Sequence, residues 1–128
     1  MPHKGKDTVV ADRVRMLHMR DAATDAFRYL NSRSRADLDT DSMLLHAVVH
    51  CLQVIGEAAS RVTEGGRQRA PGVPWKKIVG MRHILVHVYY DIDTDTVWRV
   101  AKDDLEPLLE ALSEALDDRP PPADPAAG

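Results

Sequence analysis

A run of apolar residues at helical spacing, between residues 44 and 62, most constrains how this chain can fold. Its members are Leu44, Ala47, Val48, Cys51, Leu52, Ile55, Ala58, Ala59 and Val62. Steps of three and four residues place such side chains along one face of an α-helix. Possible N-caps precede the run at residues 39–42, and Gly65-Gly66 follow it. The pattern predicts a helix that buries one face against the rest of the chain.

Three further segments carry a helical pattern of apolar residues. They run from Asp12 to Leu30, from Pro74 to about Asp91, and from Asp93 or Thr94 to Leu116. The first places Val14, Leu17, Ala22, Ala26, Phe27 and Leu30 on its predicted core face. Residues 64–74 are rich in glycine and proline and predict a loop, and Pro107 predicts a kink in the last helix. The sequence therefore predicts an all-α, up-and-down four-helix bundle.

The length of 128 residues fits one domain. We predict a flexible N-terminus over residues 1–10, a helical domain over 11–117, and a disordered Pro/Ala-rich tail over 118–128. No stretch approaches the ~18 consecutive apolar residues of a membrane span, and no signal-peptide core is present. Cys51 lies in an apolar run, which favours a buried, reduced thiol. A cytoplasmic location is predicted.

The side chains best suited to chemistry are concentrated in residues 81–90. This segment contains one arginine, two histidines and two tyrosines beside apolar residues. Histidine transfers protons near neutral pH, and the donors of arginine match phosphate oxygens, so together they suit phosphodiester cleavage. The net charge of −3 lacks the broad basic footprint of a general nucleic-acid binder. Any RNA contact is therefore expected to be local.

Helix geometry places the side chains of Arg82 and His87 on different faces of the predicted helix. Arg82 and Tyr89 are seven residues apart and share a face, whereas Arg82 and His87 are about 140° apart around the axis. The long arginine side chain, a fraying helix end, or a second copy of the helix across a two-fold axis could bring the groups together. We favour the dimer, because a symmetric seam places two arginines and two histidines around one cleft.

The spacing Arg82-x4-His87-x-Tyr89 resembles the R-x4-H-x-Y motif of HEPN-domain toxins of the HepT type. The resemblance extends to Gly56-Glu57-Ala58, Pro74-Trp75, Gly80-Met81-Arg82, and Val97-Trp98 followed by Asp104-Leu105. It covers roughly residues 12–116. The resemblance implies a homodimeric, metal-independent endoribonuclease that needs no cofactor. It also implies a nucleotidyltransferase of the MNT type as the antitoxin partner.

The resemblance assigns roles to three residues of the motif. Arg82 and His87 are the expected catalytic residues: His87 assists proton transfer at the ribose 2′-hydroxyl and the leaving oxygen, and Arg82 stabilises charge on the phosphate. Tyr89 is the expected site of AMPylation by the antitoxin, which would add negative charge where RNA must bind. His83 stands where many family members have asparagine, and we expect it to support phosphate binding or proton transfer.

Residues outside the motif receive weaker predictions. Glu57 lies in an apolar stretch, so we expect it to be a buried acceptor that holds an arginine or histidine in place. Lys76 and Lys77 precede the motif and are candidate RNA contacts. Trp75 and Trp98 fit the apolar pattern of a core better than that of a base-stacking platform.

Two other functions stay open at this point. The chain could be a non-catalytic helical partner of a nucleotidyltransferase that presents Tyr89 as its substrate. It could also be a metal-binding bundle that uses His46, His50, His83 and His87, since residues four apart on a helix can share a metal. A solvated or structural face is the simpler interpretation of the stripe formed by His46, His50, Gln53 and Glu57, and we expect no metal site.

Overall fold

A computed structural model of the chain describes the backbone of residues 4–88 and 93–117, and the side chains of residues 7–82 and 93–117. Within these ranges all regular structure is helical, in seven elements and without a strand. The helices are α1 Lys4–Tyr29, α2 Asp37–Thr40, α3 Ser42–Ser60, α4 Glu64–Arg69, α5 Trp75–Val88, α6 Thr94–Asp103 and α7 Leu105–Leu116. The predicted all-α class is confirmed.

Helix α3 is the centre of the fold. It packs against α1 on one side and α5 on another, and it also contacts α2 and α6. Asp41 caps its N-terminus by accepting a hydrogen bond from the Leu44 amide at 3.1 Å, as the N-cap pattern predicted. This bond and the Arg33 guanidinium hold the pKa of the Asp41 carboxyl below its ordinary value. The capped helix fixes the platform on which α1 and α5 lie.

The apolar pattern of α3 is compatible with either a membrane-spanning helix or a core helix, and the burial of its residues distinguishes the two. By length and composition alone its 19 residues would pass as a membrane span, although the sequence analysis found no such stretch. However, 56% of that window is buried inside the fold. The helix is apolar because it forms the core between α1 and α5.

Helix α1 is longer than predicted, and its core face agrees with the prediction only in part. It begins at Lys4, eight residues before the predicted start at Asp12 and within the segment predicted to be flexible. Two residues of its predicted core face, Val14 and Phe27, are 39% and 45% exposed. The residues of α1 that are buried are Asp12, Met16, Met19, Ala22, Ala23 and Ala26. Ala22 and Ala26 are buried as predicted, and so is Leu30 just beyond the helix, whereas the prediction omitted both methionines and the buried carboxylate.

The predicted loop at residues 64–74 contains the short helix α4, so that prediction was wrong. Thr63 caps α4 by accepting a hydrogen bond from the Gly66 amide at 3.2 Å. Thr63 also donates two hydrogen bonds to the buried carboxylate of Asp12. Its backbone amide donates to Oδ1 at 2.9 Å and its hydroxyl donates to Oδ2 at 2.5 Å. Helix α4 therefore forms despite two glycines because α1 supplies an acceptor for its N-terminus.

The predicted last helix is broken, not merely kinked. Helix α6 ends at Asp103 and α7 begins at Leu105, with Asp104 between them. Pro107 lies in the first turn of α7, where a missing amide hydrogen costs little, but its ring excludes a continuous helix through the preceding residues. The break lets α6 pack on α3 while α7 packs on α1.

Candidate active site

Arg82 of helix α5 lies directly against Gly56 of helix α3. A methyl group built on Gly56 of α3 would lie 3.1 Å from the Arg82 backbone nitrogen and 3.2 Å from its Cβ. Such distances are shorter than about nine in ten real Cβ contacts, so a side chain at residue 56 would force the Arg82 backbone to shift by a few tenths of an ångström. Gly56 thereby fixes the position of the Arg82 backbone on the core helix.

Glu57, the next residue of α3, holds the Arg82 side chain. Its Oε2 atom lies 3.1 Å from Arg82 Nε, while its Oε1 atom accepts a hydrogen bond from Arg61 Nε at 3.2 Å. The Arg82 and Glu57 side chains are 54% and 42% exposed, so the ion pair contributes little stability and acts mainly on orientation. Because the contact uses Nε, the terminal nitrogens of Arg82 keep the paired donors that suit a phosphate.

The sequence predicted that Glu57 is a buried acceptor for an arginine or histidine. It is paired with two arginines, but its side chain is 42% exposed, so the predicted burial was wrong: Glu57 lies on the groove side of α3, away from the core. The other motif residues are less fully described. Helix α5 extends to Val88, so positions 83 and 87 share one continuous helix with Arg82. The side chains of His83 and His87, and the whole of Tyr89, lie outside the described residues. Their roles stay predictions.

The lysines before the motif have different surroundings. Lys77 Nζ lies 2.8 Å from Asp104 Oδ1, and the Asp104 side chain is only 8% exposed. Lys77 thus neutralises a buried carboxylate at the break between α6 and α7. Lys76 is exposed and lines a shallow depression beside Trp75.

The indole of Trp75 donates to the carbonyl oxygens of Arg67 and Ala70 at 3.2 and 3.0 Å, so it anchors α4 to α5, in agreement with a core role.

Replacement of Lys77 by alanine should destabilise the fold by about 1–2 kcal/mol, because Asp104 would remain buried without its partner. The matched control is Lys76→Ala, which removes an exposed lysine from the adjacent position. Thermal unfolding of the two variants beside the parent measures the difference. Equal melting temperatures for both variants would show that the Lys77 ion pair contributes nothing to stability.

The histidines of α3 do not form a metal centre with other described residues. His46 Nδ1 lies 2.7 Å from the Ser42 carbonyl oxygen, and both His46 and His50 are exposed. Among the residues with described side chains, no three His, Cys, Asp or Glu side chains cluster closely enough to hold a metal.

Burial raises the pKa of the Cys51 thiol, with a smaller contribution from Asp25, so this thiol is a poor nucleophile.

Sequence reasoning missed two residues of α1 that accompany Arg82. Arg15 and His18 line a groove that also contains His50, Arg61 and Arg82. Their spacing of three residues places them on one face of α1. That spacing was visible in the sequence, but only the packing of α1 on α3 shows that this face points toward Arg82.

Comparison with known proteins places this chain in a family. The family model described as "Ribonuclease HepT-like" matches residues 19–115, about three quarters of the chain. The chain belongs to this family. The matched range includes Gly56, Glu57 and Arg82, which supports the resemblance seen in the R-x4-H-x-Y spacing.

Curated relatives agree with the family match. A Methanocaldococcus jannaschii protein named "Putative RNase" is 33% identical over 92 residues, which are 72% of this chain and 84% of that protein. A second protein of the same name and organism is 30% identical over 94 residues, covering 73% of this chain and 78% of that protein. A Thermococcus cleftensis protein named "Probable ribonuclease HepT" is 31% identical over 80 residues, covering 62% and 72% of the respective chains. No solved structure matches the chain significantly.

Proposed function

We propose that this chain is the RNA-cleaving toxin of a toxin–antitoxin pair, an endoribonuclease with Arg82 and His87 as its catalytic residues. Membership of the HepT-like family supports ribonuclease activity. The observation that carries the assignment of the site is Arg82 itself, which Gly56 and Glu57 position while its terminal nitrogens remain suited to a phosphate.

The proposed reaction is an attack of the ribose 2′-hydroxyl oxygen on the adjacent phosphorus. A P–O2′ bond forms and the P–O5′ bond breaks, which gives a 2′,3′-cyclic phosphate and a 5′-hydroxyl. The 2′-hydroxyl loses one proton and the departing 5′-oxygen gains one, and His87 assists this transfer. Arg82 stabilises the negative charge that develops on the phosphate oxygens. The protons balance within the RNA and the protein, and we propose that the reaction proceeds without a metal or cofactor.

The active form is proposed to be a homodimer of up-and-down helical bundles. Positions 82 and 87 lie about 140° apart around helix α5, which extends through both of them. A two-fold axis beside α5 would bring two arginines and two histidines around one RNA phosphate. Light scattering at the concentration of the cleavage assay tests this arrangement, and a monomeric active protein would contradict the composite site.

The proposed antitoxin is a cytoplasmic nucleotidyltransferase of the MNT type that attaches AMP to the Tyr89 hydroxyl. The spacing of seven residues between Arg82 and Tyr89 predicts that the AMP phosphate would add a negative charge near Arg82, where it would repel RNA. Mass spectrometry after incubation with the transferase and ATP should show added AMP. Tyr89→Phe should abolish the modification, and modification at Tyr90 instead would reassign the site.

The first test of the proposed function is cleavage of total RNA by the purified protein in excess EDTA, with His87→Ala as the comparison. We expect the parent to produce fragments ending in cyclic phosphate and His87→Ala to cleave about 10²–10⁴-fold more slowly. Full activity of His87→Ala, or cleavage only after a divalent metal is added, would overturn the assignment. If no RNA is cleaved by the parent but Tyr89 is AMPylated in a stable complex, the chain is a binding partner and not an enzyme.

Gly56→Ala should reduce RNA cleavage by about tenfold, because displacement of a catalytic group by a fraction of an ångström already costs rate. The added methyl would meet the Arg82 backbone and Cβ at 3.1–3.2 Å and must push α5 away from α3. Gly80→Ala is the control on α5, since its methyl would meet nothing within 4 Å. The control should stabilise the helix by about 0.5–1 kcal/mol. Equal cleavage rates for both variants would show that the close helix approach does not position Arg82.

A further inference from the structure

A groove runs between helices α1 and α3 and ends at Arg82 on α5. We call it the α1–α3 groove; the half that ends at Arg82 is open to solvent and has a volume of about 530 Å³. This half is lined by Arg15, His18, His50, Gln53, Val54, Glu57, Ala58, Arg61 and Arg82. Its volume lies within the range of sites that enclose small ligands, and is enough for roughly one or two nucleotides.

The Arg82 half of the groove contains more basic than acidic side chains. Arg15 and His18 enter from α1, His50 from α3, and Arg61 lies at the end of α3. Within the described part of the chain, the side chains of Arg15, His18 and His50 have no hydrogen-bond or ion-pair partner. The acidic side chain of this half is Glu57, and its two oxygens already contact Arg61 and Arg82. A cluster of uncompensated donors therefore faces an open groove in a protein whose net charge is −3.

The opposite half of the groove has the reverse charge. It shares His18, His50 and Val54 with the Arg82 half, and then continues past Asp21 and Asp25 of α1. Carboxylates at this end repel phosphate, and the ion-pair partner of Asp25 among the described residues is the exposed Arg28. The charge of the lining residues therefore changes from positive to negative at His18 and His50. A polyanion can occupy the Arg82 half of the groove but is repelled from the other half.

We propose that the Arg82 half of the α1–α3 groove binds a single RNA strand on one side of the scissile phosphate, with Arg15, His18 and His50 contacting its backbone. This inference rests on the proposed function, because it takes the phosphate at Arg82 as the one that is cleaved. The donors can bind phosphate and 2′-hydroxyl oxygens, while Val54 and Ala58 supply an apolar floor for ribose or base. This volume suits one strand, so we expect single-stranded RNA to bind in preference to an A-form duplex.

The test measures binding separately from cleavage. A fluorescein-labelled, ten-nucleotide RNA with 2′-O-methyl riboses cannot be cleaved through its 2′-oxygens, so its anisotropy reports binding to the full-length protein alone. We expect the double variant Arg15→Gln/His18→Gln to bind the probe about tenfold more weakly at low salt. The slope of log binding constant against log salt concentration should also become shallower by about 0.7 for each phosphate that the variant no longer binds. Arg20→Gln, which removes an arginine of α1 outside the groove, should bind like the parent.

A gain of binding provides a second, independent test. Asp21 is exposed, so Asp21→Asn should fold normally while removing repulsion at the boundary. We expect this variant to bind a longer single strand more tightly than the parent does. An RNA duplex of equal length should not compete in any variant.

The outcomes separate this proposal from the proposed function. If the parent cleaves RNA and the double variant keeps both its KM and its affinity for the probe, the groove does not bind RNA. If the double variant instead dissociates the dimer without changing affinity for the probe, the groove is a protein interface and the proposal is overturned. If probe binding depends on the groove while the parent cleaves nothing, the groove proposal stands and the ribonuclease proposal fails.

Discussion

Replacement of Arg82 by alanine should slow RNA cleavage by about 10²–10³-fold, the usual effect of removing one donor that stabilises a charged transition state. The guanidinium is the described group best placed to meet the phosphate, because Glu57 binds Nε and leaves the terminal nitrogens. Folding should be almost unaffected. The Arg82 side chain is 54% exposed and its ion pair is open to solvent, so its loss removes little packing and little electrostatic stability.

Single-turnover cleavage of a defined RNA in EDTA measures this effect, with thermal unfolding as the check on structure. Arg99→Ala is the matched control, because Arg99 is an exposed arginine on α6 outside the groove. Arg82→Lys should recover only part of the rate, since an ammonium keeps the charge but loses the paired donors. A rate for Arg82→Ala within threefold of the parent would remove Arg82 from the catalytic site.

Replacement of Gly66 by alanine should destabilise the protein by about 2–4 kcal/mol, which lowers the melting temperature by roughly 10 °C. The added methyl would lie 2.7 Å from Asp12 Cγ and 2.8 Å from Val62 Cγ1. Asp12 is 2% exposed and accepts hydrogen bonds from the Thr63 amide, the Thr63 hydroxyl and Arg69. Displacing this carboxylate would leave buried polar groups unpaired.

The neighbouring glycine provides the control for this prediction. A methyl on Gly65 would meet Arg69 Nη1 at 3.5 Å and Thr63 Oγ1 at 3.8 Å, which are ordinary contacts. Gly65→Ala should therefore be neutral or stabilise by up to about 1 kcal/mol, because alanine favours the helix. Chemical denaturation of both variants gives the comparison. If the two alanines have equal effects, the junction between Asp12 and α4 does not constrain residue 66.

The longer helices could be predicted from the sequence because their apolar residues repeat with the helical period. Helix α3 illustrates this best: its predicted N-cap, Asp41, and nearly all of its predicted core residues lie as expected. Helix α4 could not be predicted, because its six residues include two glycines and have no apolar stripe. Its stability depends on Asp12, which lies 51 residues away from Thr63 in the sequence.

The candidate site was predictable in part for the same reason. The Arg82 to Tyr89 spacing is local and carries a recognisable pattern, so the motif and its family could be inferred from the chain alone, and the family match agrees. The place of Glu57 in an apolar stretch predicted that it holds an arginine or histidine, but only the structure shows that one of its partners is Arg82. Arg15 and His18 were not selected, because arginine and histidine on an exposed helix face are common and usually only solvated.

The sequence by itself determined the helical class, the core face of α3 and the identity of the motif, because each of these is encoded in residues a few positions apart. Only the tertiary structure decided the contact of Gly56 with Arg82, the hydrogen bonds between Asp12 and the Thr63 cap of α4, and the change from basic to acidic side chains along the α1–α3 groove. These features join residues 26 to 67 positions apart, and helix packing alone sets which faces of α1, α3 and α5 meet. Local periodicity specifies that a helix has an apolar face, but it carries no information about which helix that face will meet.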